Sequence, residues 1–327
     1  MNKKLLAIAV AAFVAAPAIA SANTTLFGQV KYEVGYIDGG TKVGDEIRDA
    51  DHNFVHSTKG TRLGVHGSED LGGGMQAIFR FQSGMGNVNR TMSAGTWSMN
   101  EENWVGVRGG FGTLQLGRSD TAMKKTGGNH FRAFTDTLAE PSLIPDRTDR
   151  ADGIHYTTPN ISGFTGYLTL EPNGVETDTY WAVGGAFSFG QFLITAAYED
   201  SPEDGKYSST YGVKDQSNYQ VGAKWNFGQG DVGLLWQAVN DADDDVFLVP
   251  ANFKVTPNVN LRAAAKYVDP KVGDDFTNFG LGAQYMFSKR TEAFVNVWMD
   301  DEIGQTTATP NTSDDSTQFG LGLRHSF

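Results

Sequence analysis

The chain of 327 residues contains no cysteine, so no disulfide staples it and neither a thiol nucleophile nor a thiolate-bound metal is available to it. Beyond residue 22 no run approaches the roughly 18 apolar residues of a membrane-crossing helix. That excludes helical spans but not membrane-crossing strands, whose signal per segment is weak. Bases are few: 26 Lys and Arg face 38 Asp and Glu, a net charge of −12. Such a balance disfavours nucleic-acid binding, which has to neutralise phosphates. Neither an H-E-x-x-H nor a G-x-S-x-G pattern occurs, which removes a helix-borne zinc site and the nucleophile elbow of the α/β hydrolases.

Glycine and aromatic side chains are what the chain has in quantity: 40 Gly, 21 Phe, 11 Tyr and 6 Trp, a composition suited to twisted strands and tight turns. Mean hydropathy is nonetheless −0.34. A chain rich in aromatics yet polar on average results when every second residue of each strand faces water. The first 22 residues stand apart. Lys3 and Lys4, an apolar core from Leu5 to Ala16 and the small-residue site Ala20-Ser21-Ala22 read as a cleaved secretory signal peptide. The mature chain, Asn23 to Phe327, then carries a net charge of −14 as a single domain.

Period-2 alternation bounded by turn residues predicts sixteen strands, at 24–37, 58–67, 75–84, 103–109, 112–119, 152–158, 164–171, 179–188, 191–199, 217–227, 231–240, 246–256, 259–268, 277–287, 291–300 and 317–327. The connection after each even-numbered strand is short, as at Gly110-Phe111, Phe189-Gly190 and Pro257-Asn258, and the one after each odd-numbered strand is generally longer and more polar. Turns therefore gather at one end and loops at the other, the layout of an outer-membrane barrel. Parity agrees. Leu261, Ala263, Ala265 and Tyr267 alternate with Asn260, Arg262 and Lys266, giving one lipid-compatible face and one hydrated face. Aromatics recur at strand ends, among them Tyr36, Trp181, Phe189, Trp225 and Phe287, as girdles at both interfaces require. The expected fold is an all-β, sixteen-stranded antiparallel transmembrane barrel, wide enough to leave an aqueous channel.

Five segments together resemble the Gram-negative general porins, the trimeric diffusion channels of the outer membrane: Thr25 to Tyr32, Thr61 to Gly74, Gly112 to Ser119, Gly153 to Phe164, and the final Phe327. The resemblance spans the mature chain. It implies a homotrimer of sixteen-stranded barrels among outer-membrane lipids and lipopolysaccharide, each with its third extracellular loop folded inward to narrow the pore. It also implies that the C-terminal strand with Phe327 is an address for the barrel-assembly machinery. No enzyme activity and no cofactor is expected.

The third loop is the longest, from Asp120 to Arg150. A connection of that length is commonly functional. It holds five acids, Asp120, Asp136, Glu140, Asp146 and Asp149, and five bases, Lys124, Lys125, Arg132, Arg147 and Arg150, for a formal charge of zero. Lys31, Arg62, Arg80 and Arg108 lie on the water-facing parity of strands one to four. Arg118 closes strand five on the opposite parity, but its Leu-Gly-Arg setting resembles the family's wall arginine. These bases are expected to face the loop carboxylates across a constriction and to filter solutes by size and charge, since rings of charge set pore selectivity. The acidity lies elsewhere. Stretches 38–52, 199–215, 241–245, 269–275 and 300–315 sum to −17 at the predicted extracellular mouth, where they enrich cations, while inward Lys224, Lys254, Arg262, Lys266 and Arg324 favour anions deeper inside.

Other motifs fail on structural grounds. Gly228-Gln-Gly230-Asp-Val-Gly233 matches a dinucleotide fingerprint but leads into a strand rather than a helix. Asp241-Ala-Asp-Asp-Asp245 has Val246 and Asn252 where an EF-hand needs Gly and Glu, so it reads as an exposed acidic loop. His325 and Ser326 point to opposite faces and supply no hydrolase pair. An adhesin presenting its outer loops would leave an inward-folded third loop unexplained. The remaining function is passive diffusion of ions and small hydrophilic solutes.

Overall fold

A computed structural model describes residues 23–38, 41–43, 46–48, 54–86, 101–140, 149–172, 179–201, 216–239, 244–270, 274–300 and 316–327. The expected signal peptide, loop residues Asp146 and Arg147, and most of the acidic stretches lie outside the described residues. The barrel begins with β1 (Asn23–Asp38), β2 (Phe54–Ser57 continued as Arg62–Gly72), β3 (Met75–Gly84), β4 (Asn103–Gly109) and β5 (Gly112–Asp120). It continues through β6 (Arg150–Thr157), β7 (Phe164–Pro172), β8 (Thr179–Phe189), β9 (Phe192–Ser201), β10 (Gln216–Asn226) and β11 (Gly230–Val239). It ends with β12 (Asp244–Thr256), β13 (Val259–Asp269), β14 (Phe276–Met286), β15 (Thr291–Asp300) and β16 (Ser316–Ser326). Each strand pairs antiparallel with its sequence neighbours in one sheet, and a small hairpin, Thr41–Val43 with Glu46–Arg48, lies between β1 and β2.

Fifteen strands fall within two residues of their sequence-predicted bounds. β2 differs. It starts earlier, at Phe54, and is broken at 58–61, where Thr61 N donates to Thr58 O at 2.9 Å and Gly60 adopts φ +83. A side chain at Gly60 would strike Asp136 of the third loop, 2.4 Å from the ideal Cβ. The left-handed turn opens the space into which that loop residue fits.

β1 closes the ring. Its first half, Asn23–Gln29, pairs with Ser68–Arg62 of β2, and its second half, Gln29–Asp38, pairs with Ser326–Thr317 of β16. Without that seam two strand edges would meet hydrocarbon, at several kcal/mol per unpaired backbone group. Phe327 completes it: Gly28 N donates to Phe327 O at 3.1 Å and Phe327 N to Gly28 O at 3.0 Å. Among the described residues no helix is long and apolar enough to cross a membrane. The strands cross it instead.

The outer face is apolar, with Leu26, Val30, Leu234, Leu281, Phe319 and Leu321 all exposed. Rings line both rims. On the tight-turn side Phe187, Phe189 and Phe192 stack at 5.4 and 5.6 Å between neighbouring centroids, and Trp225, Phe227 and Phe253 follow at 5.2 and 6.3 Å. On the loop side Trp181, Tyr198 and Tyr219 are spaced at 4.9 Å. These are the two interfacial belts of a membrane barrel.

The Phe327 ring packs against the outer side of Gly28, where an added Cβ would lie 2.5 Å from its Cζ and 2.9 Å from Arg62 O. Gly28→Val is therefore expected to destabilise the seam by about 1–3 kcal/mol. The measurement is the temperature at which the compact, fast-migrating species disappears on a semi-native gel; an unaltered midpoint contradicts the assignment.

Candidate functional site

The third loop leaves β5, folds into the lumen and returns at β6. It opens with two short helices, α1 (Ala122–Thr126) and α2 (Gly128–Phe131). Thr121 caps α1, its Oγ1 accepting from Lys124 N at 3.2 Å, as a threonine before a helix is suited to do. Ala122 N donates to Thr169 Oγ1 on β7 at 3.1 Å, and Gln220 Nε2 on β10 donates to Met123 O at 2.6 Å and to Thr126 Oγ1. The loop is fastened to the wall, at β7 and β10, from its first turn.

Beyond α2 it is held by apolar anchors seated on inward-facing glycines. Phe131, 1% exposed, lies on Gly222 and Gly233, Phe134 on Gly282 and Leu138 on Gly35; a Cβ at Gly222 would come within 2.4 Å of the Phe131 ring. Wall residues Leu235, Leu248 and Trp298 complete one buried cluster with these anchors. That part of the inner face, expected from parity to be hydrated, is dry because the loop covers it. Backbone groups of the loop are paired with charged wall residues: Arg262 donates to Ala133 O at 3.3 Å, Arg324 to Thr135 O at 2.7 Å, and Leu138 N donates to Glu33 Oε2 at 2.9 Å. The Phe294 ring sits among three cations, Lys31, Arg262 and Arg324, at 5.9, 5.6 and 5.7 Å from its centroid.

The wall bases separate into distinct settings. Arg62 reaches the loop, 3.4 Å from Asp136, and Arg80 pairs with Glu102 at 2.9 Å while lying 4.6 Å from the Phe27 ring centre. Lys31 is 1% exposed and paired with Glu33 at 2.7 Å beneath the loop, so it fastens rather than lines. Arg108 stands near the tight turn after β4 and donates to Gln76 Oε1 at 2.6 Å. Arg118 has a setting different from the other wall bases. It stands opposite Asp152 in the ladder, pairs with it at 3.3 Å and shares the outer face with exposed Leu116 and Ile154. The register between β5 and β6 continues through this pair, although Gly117 before it adopts φ +121 and Asp120 two residues on turns to the loop base Lys124.

The loop charges are largely paired. Lys124 lies 2.9 Å from Asp120, and Arg132 clamps both oxygens of Asp149 at 3.0 and 2.9 Å and approaches Glu140 at 3.4 Å. Arg150 spans Glu101 at 2.8 Å and Asp120 at 3.2 Å. Lys125 stands over the Tyr167 ring at 5.8 Å, and burial pushes its ammonium below the ordinary lysine range. Burial, with Lys224 nearby, also lowers His130. Burial opposes the ionisation of Asp136, yet Arg62, Arg324, the Gln29 amide and Lys59 together hold its carboxyl below the usual carboxylate range. Among the described residues no group of His, Asp and Glu converges as metal ligands.

Three fastening groups escaped the sequence reading as site residues: Glu33, Lys59, which pairs with Glu140 at 3.2 Å, and the inward glycines. Their signal was available. Glu33 lies two residues beyond Lys31 on the same inward parity, and Gly35, Gly222, Gly233 and Gly282 leave the inner wall bare where a loop can bed.

A closed transmembrane barrel with a wide lumen is the architecture of an outer-membrane diffusion channel. A family model for the Gram-negative porin matches residues 7–305, and the chain belongs to that family. It is 27% identical to the major outer membrane protein P.IB of Neisseria lactamica, over 100% of both chains. An anion-selective porin from Comamonas acidovorans shares the fold at 21% identity and a TM-score of 0.73, covering 94% of this chain and 100% of that one. So does a trimer form of OmpT, an outer membrane protein of Vibrio cholerae, at 15% identity and a TM-score of 0.69, covering 94% and 99%.

Phe131→Ala removes the deepest anchor and is expected to weaken loop docking by about 3–5 kcal/mol. Trypsin should then cut the folded protein at Lys124, Lys125 or Arg132, sites the native protein protects; equal resistance of the two contradicts the anchoring role. The depressed carboxyl of Asp136 gives a sign for acid. Its contribution to docking is present above the ordinary carboxylate pKa of about 4 and is lost as pH falls through the lower docked value. Single-channel conductance is expected to hold between about pH 7 and 5 and to change only below about pH 4. Asp136→Asn should show the low-pH conductance at neutrality.

Proposed function

We propose that the channel passes ions and small hydrophilic solutes through an opening narrowed by loop 3, and that charges of both signs at that opening sort them. The contact between Arg62 on β2 and Asp136 on the loop, at 3.4 Å, supports this most directly. Both groups keep partial exposure, 30% for Arg62 and 15% for Asp136, so the pair presents a dipole to the lumen rather than a sealed bridge. Lys59 with Glu140 repeats the arrangement beside it, and Arg80 with Glu102 extends it along the wall. Paired charges of this kind orient dipolar solutes more than they concentrate one ion.

The native unit in this proposal is a homotrimer, in keeping with the trimeric OmpT form whose fold it shares. Lipid and lipopolysaccharide surround it, meeting an outer rim where Trp236 donates to Asp245 at 2.6 Å and Tyr267 to Asp275 at 3.1 Å. Assembly proceeds through the barrel-assembly machinery, which reads the β16 strand and Phe327, after export directed by the first 22 residues.

Planar-bilayer recording of the purified protein tests the reading. Conductance steps in multiples of three are expected, and an electrically silent protein overturns it. Arg62→Gln combined with Arg80→Gln should move the reversal potential in a salt gradient toward cations. Arg118→Gln should leave it in place, because that arginine lies on the outer face.

A further inference from the structure

Between the two aromatic belts, the outer wall from β7 to β11 carries an open recess of about 630 Å³. Its floor is one cross-strand row in which Gly185 on β8 faces Ala196 on β9 and Ala196 faces Val221 on β10. The Phe164 ring of β7 bounds one side, 2.7 Å from where a Cβ at Gly185 would lie, and Trp236 of β11, which faces Val221, bounds the other. Along β9 the recess runs from Tyr198 to Ile194, four residues or about 13 Å at the rise of an extended strand. Tyr198 belongs to the loop-side belt, and Ile194 faces Phe187 of the tight-turn belt, so the recess lies at hydrocarbon depth. A wall that recedes there loses dispersion contacts unless something flexible follows it inward.

The loop-side end is polar and of one sign. Asp200 stands two residues beyond Tyr198 on the same parity of β9, and Asp245 of β12 faces Ala238, the cross-strand neighbour of Tyr219. Each accepts from a neutral donor, Asp200 from the Tyr198 hydroxyl at 3.3 Å and Asp245 from the Trp236 indole N–H at 2.6 Å. Among the described residues neither pairs with a base. The Tyr219 hydroxyl, on the strand next to Asp200, has no hydrogen-bond partner among the described residues, and its residue is 40% exposed. Carboxylates beside an available hydroxyl complement a headgroup that brings an ammonium together with an oxygen acceptor, and they repel an anionic one.

We infer that the recess is a binding site for an amine-headed phospholipid of the loop-side leaflet, with one acyl chain laid over Gly185 and Ala196, the ammonium beside Asp200 and a phosphate or ester oxygen at the Tyr219 hydroxyl. The site lies on the outer face, makes no use of the lumen and goes beyond the channel reading. A lipid seated there completes the wall as a fixed part of it, where other chains exchange freely.

The full-length protein, reconstituted in phosphatidylcholine vesicles containing a trace of phosphatidylethanolamine with a diazirine at mid-chain, tests this. Ultraviolet light fixes the chain to the wall it touches, and proteolysis with mass spectrometry maps the adducts. They are expected to concentrate on β8 to β10, at about threefold the yield given there by phosphatidylglycerol bearing the same chain. Ala196→Leu, which fills the floor, should lower these adducts about fivefold. Asp200→Asn should keep the adducts and abolish the preference between headgroups. Adducts spread evenly around the outer wall, equal yields from the two headgroups, or unaltered labelling in Ala196→Leu overturns the site. So do adducts confined to other strands, as a second copy seated on this face would give. The headgroup comparison needs only the wild-type protein and decides the matter where a variant fails to assemble.

Discussion

Hydrocarbon offers no hydrogen-bond partner, and that single constraint organises this protein. Every strand must be paired on both edges, so the sheet closes, and closure of sixteen strands leaves a lumen too wide for the wall side chains to fill. The long loop between β5 and β6 occupies part of that space. It enters not as a polar plug but as a bedded element with its own dry interface, in which Phe131, Phe134 and Leu138 meet Leu235, Leu248 and Trp298. The barrel thus has the small hydrophobic core that its membrane-facing strands cannot provide for themselves.

Glycine has two separate tasks in the wall. At Gly60 it supplies a left-handed turn that breaks β2 where Asp136 seats. On β1, β10, β11 and β14 it supplies absence: a bare stretch of inner wall into which an aromatic or leucine side chain beds. Charge then acts at a shorter range than its abundance suggests. Most described lumen bases sit within ion-pair distance of a carboxylate, as in Arg132 with Asp149 or Arg150 with Glu101.

Strand positions were legible because two-residue periodicity, glycine-rich turns and aromatic ends agree along the chain, and only β2 required information from elsewhere, namely the loop residue pressing on its turn. Arg118 shares its strand parity with the outer-facing Leu116 and pairs with Asp152 across the ladder. Lys31 and Arg62 share a parity and a residue class, yet one is sealed against Glu33 and the other reaches Asp136. That difference depends on the path of a loop whose sequence carries no period, and a path of that kind is fixed by tertiary contacts rather than by local pattern.

The seam has a consequence in time. Gln29 and Ser326 face each other in the finished sheet, yet they are separated by nearly the whole chain, so their pairing has one of the highest contact orders the molecule contains. Until β16 has been synthesised and exported, every partly formed sheet carries two open edges that any other strand could join. The ring is therefore an all-or-nothing object during biogenesis. Its most vulnerable moment is the interval in which fifteen strands exist and the sixteenth has yet to arrive.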